Sequence, residues 1–145
     1  MPTAAETAAR PDLLVDTSVA VPLVVADHSA HAEVTAAIGD RELGLAGHAA
    51  FETFSVLTRL PPPARREPRV VEHVLRSAFP GSRFLGADAT ADLLDRLDAL
   101  GVAGGGVYDA LVGAAAAAHE LPLATRDARA LDVYRALDVD IRLID

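Results

Sequence analysis

The sequence predicts an α/β domain with a central, mainly parallel sheet flanked by helices. Short apolar runs bounded by polar or turn residues are typical of buried strands. Stretches with helical spacing lie between these runs, and this alternation favours a parallel sheet. The chain has 145 residues, 51% apolar and 23% charged, which suits one domain with a substantial core. We expect that domain over residues 12–145, after a flexible N-terminal arm over residues 1–11.

Five apolar runs are predicted to form strands. The first run is Leu13-Leu14-Val15, and it ends at a carboxylate, Asp16. The predicted strands cover residues 12–16, 43–46, 84–86, 123–125 and 139–144. Because the carboxyl ends of parallel strands lie at one edge of a sheet, and ligands bind along that edge in open α/β folds, polar residues that follow these runs are candidate site residues.

Seven segments are predicted to form helices, each with a local start or stop signal. Thr17 or Ser18 is the expected cap of the first helix, Ser29 of the second, Asp88 or Thr90 of the fifth. Three consecutive prolines, residues 61–63, end the third helix because none of them can donate a helical hydrogen bond. The predicted helices cover residues 19–26, 31–38, 49–60, 70–79, 88–100, 107–119 and 131–136.

The composition excludes several classes of site. The chain contains no Cys, so disulfides and thiolate metal sites are excluded, and no Lys, which excludes a Walker A loop and a Schiff-base lysine. The N-terminus lacks a basic start and an apolar core, so no signal peptide is expected. No stretch approaches about 20 apolar residues, so we expect no membrane span and a cytoplasmic protein. The formal net charge is -8, which by itself argues against nucleic acid unless several acids bind cations.

Four acidic residues stand out by their positions. Asp16 and Asp127 each follow a predicted strand, Asp109 lies in the first turn of an Ala-rich helix, and Glu52 lies in a helix that is apolar on most sides. Each has an ordinary structural explanation: a strand-end Asp often caps the next helix, and an acid in a first turn interacts favourably with the helix dipole. Glu52 is harder to explain, because a buried carboxylate is costly unless it is paired or binds metal.

The four acids together predict a metal site. Three strand-end or helix-start carboxylates would meet at one edge of the sheet, and their mutual repulsion is unfavourable without a divalent cation. Ligation by oxygen atoms alone favours Mg²⁺ or Mn²⁺ over Zn²⁺.

Four segments resemble the motifs of PIN-domain ribonucleases, in particular the VapC toxins of bacterial toxin–antitoxin pairs. These segments are LLVDTS (13–18), FETFSVLTRLP (51–61), VYDALV (107–112) and LATRDARAL (123–131). The resemblance covers residues 12–144 and implies a Mg²⁺- or Mn²⁺-dependent endoribonuclease that is homodimeric and inhibited by a cognate antitoxin. The family's acids correspond to Asp16, Glu52, Asp109 and Asp127, and its hydroxyl positions to Ser18 and Thr125. Cleavage would then use a metal-activated water.

The densest group of basic residues lies near the end of the third predicted helix. It could contact an RNA backbone or could be a solvated loop. Its members are Arg59, Arg65, Arg66 and Arg69.

Two other functions remain open from the sequence. One is a binding module of the same fold in which the acids only cap helices. The other is a haloacid-dehalogenase-like phosphatase, which also begins with a strand and an Asp. That family requires a second Asp where this chain has Ser18, and a Lys that this chain lacks.

Overall fold

The computed structural model describes residues 10–145 as one α/β domain. The strands are β1 (Leu13–Val15), β2 (Leu43–Leu45), β3 (Leu123–Thr125) and β4 (Ile141–Leu143). The helices are α1 (Thr17–Val24), α2 (His31–Ile38), α3 (Ala49–Thr58), α4 (Pro68–Ala78), α5 (Ala87–Arg96), α6 (Gly106–Ala118) and α7 (Leu131–Ala136), the last preceded by a 3₁₀ turn over Ala128–Ala130. This architecture confirms the predicted fold class.

The sheet has the order β2-β1-β3-β4, and every pairing is parallel. The central strand β1 alternates between the two faces, as expected from the two-residue period of a strand. Leu14 packs with α5, α6 and α7 on one face, whereas Leu13 and Val15 pack with α1 and α2 on the other. Both faces are therefore covered, which explains why the strand is apolar throughout.

The predicted third strand, residues 84–86, is wrong. The chain instead runs alongside β2 a few residues earlier, where Ala46 and Arg83 form a parallel bridge. The backbone N–H of Gly81 donates to the Leu43 carbonyl at 3.0 Å, and that of Arg83 to the Leu45 carbonyl at 3.1 Å. The strand was predicted at residues 84–86 because Phe84 and Leu85 are apolar. The pairing uses the preceding segment, since it contains the glycine that can approach β2 closely.

That close approach depends on two glycines. A Cβ added at Gly44 would overlap the carbonyl group of Gly81, and one added at Gly81 would lie 2.5 Å from the Cβ of Pro11. At this edge of the sheet the backbones of Gly44 and Gly81 therefore meet directly, and the Pro11 ring packs against Gly81.

Several helix boundaries differ from the prediction. α1 begins at Thr17, because Asp16 caps it by accepting a hydrogen bond from the Ser18 N–H at 3.1 Å; neither Thr17 nor Ser18 is the cap. Ser29 does not cap α2, which follows Ala30 without a side-chain cap. α5 begins after Gly86 and ends at Arg96, short of the predicted Leu100. Helix ends depend on local caps that periodicity does not reveal.

The predicted arm, residues 1–11, lies outside the described residues except for Arg10 and Pro11. Arg10 donates to the Glu120 carbonyl at 2.8 Å, and Pro11 is buried. Within residues 10–145, none of the helices combines the length and apolarity needed to traverse a bilayer.

Candidate active site

The site lies at the carboxyl edge of the two central strands. Asp16 follows β1 directly, Thr125 is the last residue of β3, and Asp127 follows two residues later. β1 and β3 are paired and parallel, so their carboxyl ends lie side by side. Helix α1 begins at this edge, and the N-terminal turn of α6 carries Asp109.

Asp16 is the centre of a hydrogen-bond network. Its Oδ1 accepts from the Ser18 N–H at 3.1 Å and from the Ser18 hydroxyl at 2.5 Å. Its Oδ2 accepts from the Thr125 hydroxyl at 2.5 Å and from the Tyr134 hydroxyl at 2.9 Å. Because a carboxylate has about four lone-pair positions, every one of them has a donor. The side chain is only 5% exposed, so its orientation is fixed from all sides.

Burial dominates the electrostatics of Asp16. Desolvation raises the pKa of the carboxyl, and the hydrogen bonds from Ser18, Thr125 and Tyr134 partly oppose that rise; the negative charge of Asp127 adds to it. The donors therefore stabilise a charge that burial and a neighbouring acid destabilise.

Glu52 and Asp109 belong to the same electrostatic group. Burial is the main cause of the raised pKa of Glu52; Asp109 and Asp16 raise it further, and His48 lowers it. The pKa of Asp109 is also raised, first by burial and then by Asp127 and Asp16, with Arg129 opposing. Each acid is thus close enough to at least two of the others to be repelled by them. Asp16 and Asp109 are thus coupled to each other and to both Glu52 and Asp127.

Two hydroxyls connect the acids to the backbone. Ser18 Oγ, besides donating to Asp16, accepts from the Arg126 N–H at 2.8 Å. Thr125 Oγ1 donates to Asp16 and accepts from the Asp127 N–H at 3.1 Å. Ser18 and Thr125 therefore orient the first acid and fix the loop that carries the last one.

The donor set suits a hard divalent cation that keeps several of its water ligands, rather than one that is ligated by protein groups alone. Within residues 10–145, no three acidic or histidine side chains are close enough to form a complete ligand group as they stand. Mg²⁺ does not need one, because it usually keeps several waters and uses one or two carboxylates. Little positive charge offsets the acids: Arg129 lies 3.8 Å from Asp127, but its side chain is 96% exposed. Repelling oxygen donors with so little compensation fit such an ion.

The four arginines predicted to contact RNA are divided between two cavities and the start of α4. Arg65 Nε donates to the Leu60 carbonyl and Arg66 Nη2 to the Val24 carbonyl, at 2.9 and 2.6 Å. Both line a cavity of about 420 Å³ beside the prolines, while Arg69 lies exposed in the first turn of α4. Arg59 lines a different cavity together with Glu52, so it is the one of the four that shares a cavity with a site acid.

Sequence reasoning missed Tyr134. This side chain is 1% exposed, and its hydroxyl reaches Asp16 from α7, 118 residues along the chain. Its ring fits against Gly113 of α6, where an added Cβ would lie 2.9 Å from the Tyr134 Cδ1. The sequence contained a weak indication of this contact, because a glycine interrupts the apolar, Ala-rich helix α6. No residue near that glycine indicates that a tyrosine of α7 packs against it.

Arg126 was also missed. It lies between Thr125 and Asp127 at the edge of the sheet, and its Nη1 donates to the Ser18 carbonyl at 3.4 Å. Its buried Nε is the one buried side-chain nitrogen or oxygen in residues 10–145 with no hydrogen-bond partner.

Comparison with known proteins agrees with this geometry. Residues 13–136 match the family model described as PIN domain. Ribonuclease VapC27 of Mycobacterium tuberculosis (strain ATCC 25618 / H37Rv) is 48% identical over 132 residues, which cover 91% of this chain and 96% of that protein.

Two solved structures have the same fold. FitAcB from Neisseria gonorrhoeae has a TM-score of 0.62 at 19% identity, and the match covers 89% of this chain and 95% of that chain. VapBC2 from Rickettsia felis, bound to a DNA fragment from its promoter, has a TM-score of 0.64 at 13% identity, covering 92% and 98%. A family match over most of the chain, a close relative of nearly equal length and a shared fold lead to one conclusion: this chain belongs to the PIN-domain family, in its VapC group.

Proposed function

We propose that this chain is a metal-dependent endoribonuclease and the toxin of a type II toxin–antitoxin pair. The observation that carries the proposal is that Asp16, at the carboxyl end of β1, and Asp109, in the first turn of α6, are electrostatically coupled to each other and to both Glu52 and Asp127. The name of the 48% identical relative, a ribonuclease, supports the reaction class. Membership of the PIN-domain family argues against the phosphatase alternative.

Asp16, Glu52, Asp109 and Asp127 would hold Mg²⁺ or Mn²⁺. When bound, such a cation supplies Lewis-acid activation of water and neutralises charge on the phosphodiester. The chain's own residues supply orientation: Ser18, Thr125 and Tyr134 hold the Asp16 carboxylate in one position. Because Asp16 accepts four hydrogen bonds, direct ligation of a cation by Asp16 would displace at least one of these donors.

An RNA cleavage assay tests the proposal. The purified chain, freed of any copurifying protein, is incubated with a mixture of single-stranded and structured RNAs in Mg²⁺, in Mn²⁺ and in excess chelator. We expect cleavage with either metal, none with chelator, and a loss of about a hundredfold or more in Asp16→Asn. Asp95→Asn, at an exposed acid on α5, is the matched control and should cleave at the parent rate.

The competing function is a non-catalytic binding module. The four donors around Asp16 favour it, since a saturated carboxylate is also what a purely structural cap looks like. Absence of cleavage with either metal, or cleavage that is equal in the parent and Asp16→Asn and so does not depend on this site, would support that alternative. Cleavage that survives chelator would reject the metal dependence.

The proposed partners are a cognate antitoxin and a second copy of this chain. The solved neighbours FitAcB and VapBC2, the latter bound to a DNA fragment from its promoter, support the first. Coexpression with the product of a short adjacent reading frame should give a stable complex with suppressed RNA cleavage. Sedimentation equilibrium of the chain alone should give twice the monomer mass.

A further inference from the structure

Aromatic side chains lie exposed beside the acidic site. Phe51 is 66% exposed and Tyr108 is 52% exposed, although apolar rings are normally buried. The Tyr108 ring stacks on His48, with centroids 5.1 Å apart and an interplanar angle of 17°. The Phe51 ring centroid lies 6.3 Å from that of His48, and the two rings are tilted by 33°. These three residues are called here the aromatic patch; Phe51 and Tyr108 are exposed, and His48 is half-buried.

The patch is part of one cavity with the site. A depression of about 460 Å³ is lined by the aromatic patch, Glu52 and Arg59, with Thr17, Ser55 and Val56 completing it. This volume lies within the range of about 300–1,000 Å³ that is usual for ligand pockets. Glu52 is coupled electrostatically to Asp16 and Asp109, so a ligand in the cavity lies next to the acids.

The composition of the cavity indicates what it binds. Flat rings stack on nucleobases, each of which has a π face, and an arginine at the rim pairs with phosphate. Bases in a duplex are already stacked on one another, so the ligand must be single-stranded. A second copy of this chain would also cover apolar rings, but it would have to bury Glu52 and Arg59, both ionisable and without an ion pair in residues 10–145.

We propose that the aromatic patch is a base-stacking subsite that holds an unpaired nucleotide of RNA adjacent to the acids. The proposal rests on the proposed nuclease function for its ligand class. It assigns Phe51 and Tyr108 as substrate-binding residues and explains why two large rings remain exposed at this position.

The test uses RNA that reports stacking directly. A 12-nucleotide single-stranded RNA containing one 2-aminopurine is titrated with Asp16→Asn protein, so that cleavage does not interfere. The chain has no Trp, so its own emission does not mask the probe. We expect binding to change the probe fluorescence, and Phe51→Leu or Tyr108→Leu to weaken binding about five- to hundredfold with loss of that change. Tyr108→Phe, which keeps the ring, should retain both.

Controls separate stacking from other effects. Leu143→Ala removes an exposed apolar side chain from β4, away from the cavity, and should bind RNA as the parent does. A duplex of the same length should bind without the patch-dependent signal. The proposal is overturned if the leucine variants bind with parent affinity, or if they change the sedimenting mass, which would make the patch an interface between copies.

The outcome is distinguishable from that of the proposed function. A parent that cleaves RNA, with patch variants of unchanged KM and kcat, rejects the subsite while the nuclease stands. A parent that never cleaves, but whose RNA binding still depends on the rings, rejects the nuclease and supports the subsite.

Discussion

Asp16 shows how a single residue serves both structure and the proposed chemistry. It caps α1 through its bond with the Ser18 N–H, and it is also the buried centre of the acidic group. The cap explanation and the functional explanation considered from the sequence therefore hold together. A capping carboxylate is pre-oriented by its own helix, and the added hydroxyl donors keep it charged in a buried position.

Asp16→Asn should stabilise the metal-free protein. Burial raises the pKa of the Asp16 carboxyl, so its charged form is unfavourable at neutral pH, and an amide removes that cost. The Ser18 N–H keeps an acceptor, and the hydroxyls of Thr125 and Tyr134 are able to accept from the amide. We expect a Tm increase of about 3 °C or more at pH 7 in chelator, equivalent to about 1 kcal/mol. A lower Tm would mean that the lost charged hydrogen bonds outweigh the relief of desolvation.

Tyr134→Phe should destabilise the protein, because it removes the hydrogen bond from Tyr134 to the Asp16 carboxylate. Burial raises the pKa of the Tyr134 hydroxyl far above its ordinary value, so it remains a hydrogen-bond donor at any accessible pH. Its removal should cost about 1.5–3 kcal/mol in urea unfolding at pH 7, the range for a bond to a charged group. In the Asp16→Asn background the cost should fall to about 0.5–1.5 kcal/mol. Equal costs in both backgrounds would show that the tyrosine acts by packing alone.

Strand β2 has its backbone packed closely between two neighbouring segments. It pairs with β1 on one side and takes the segment around Gly81 on the other, and Gly44 allows the backbones to meet. The position of β2 also sets where α3 begins, and therefore where His48, Phe51 and Glu52 lie. A change in β2 should thus affect the site without contacting it.

Gly44→Ala should cost about 3 kcal/mol or more in unfolding free energy. The added Cβ would overlap backbone atoms of Gly81 and Ser82, and backbone cannot move aside as a flexible side chain can. Denaturant unfolding followed by circular dichroism measures the effect.

Gly105→Ala is the matched control for that substitution. Gly105 has a helical backbone, and nothing lies within 4 Å of an added Cβ. Its stability should stay within about 0.5 kcal/mol of the parent. An unchanged Gly44→Ala protein would mean that the edge segment is not packed against β2 in solution.

In the whole molecule, the energetically unfavourable negative charges are concentrated at the proposed metal site. The net charge is -8, and the acids with a raised pKa among residues 10–145 are Asp16, Glu52 and Asp109. Some of the other acids lie in exposed pairs such as Asp140 with Arg142, which contribute little. The electrostatic destabilisation of the folded state is therefore concentrated at the proposed metal site.

The pH dependence of stability should reveal this cost. Because the folded pKa values of Asp16, Glu52 and Asp109 are raised above 3.8, 4.5 and 3.8, the folded state binds protons more tightly than the unfolded state. Their contribution to stability is full below those ordinary values and is lost as pH rises through the raised ones. In chelator, the triple variant Asp16→Asn, Glu52→Gln, Asp109→Asn should gain stability relative to the parent between about pH 4 and pH 7.

Added Mg²⁺ provides the control for the pH experiment. It should raise the Tm of the parent at pH 7 and leave the triple variant unchanged, since only the parent keeps the acids. A parent that becomes more stable than the triple variant as pH rises in chelator would contradict the electrostatic account.

The sequence alone determined the fold class and most helices and strands, and it singled out the four candidate acids. These features are local. Apolar runs, helical spacing and helix-breaking residues act over a few residues, and a carboxylate at the end of a strand directly follows the apolar run that predicts the strand. The predicted strand at residues 84–86 failed because its apolar pair suggested pairing, whereas the actual contact depended on a glycine and its partner strand.

Only the tertiary structure decided which side chains meet. Tyr134 reaches Asp16 across 118 residues, Thr125 reaches it across 109, and the Tyr108 ring stacks on a histidine that precedes α3. Such contacts arise from the strand order and from how helices pack on the sheet. Both depend on the whole core at once, so no short stretch of sequence contains them.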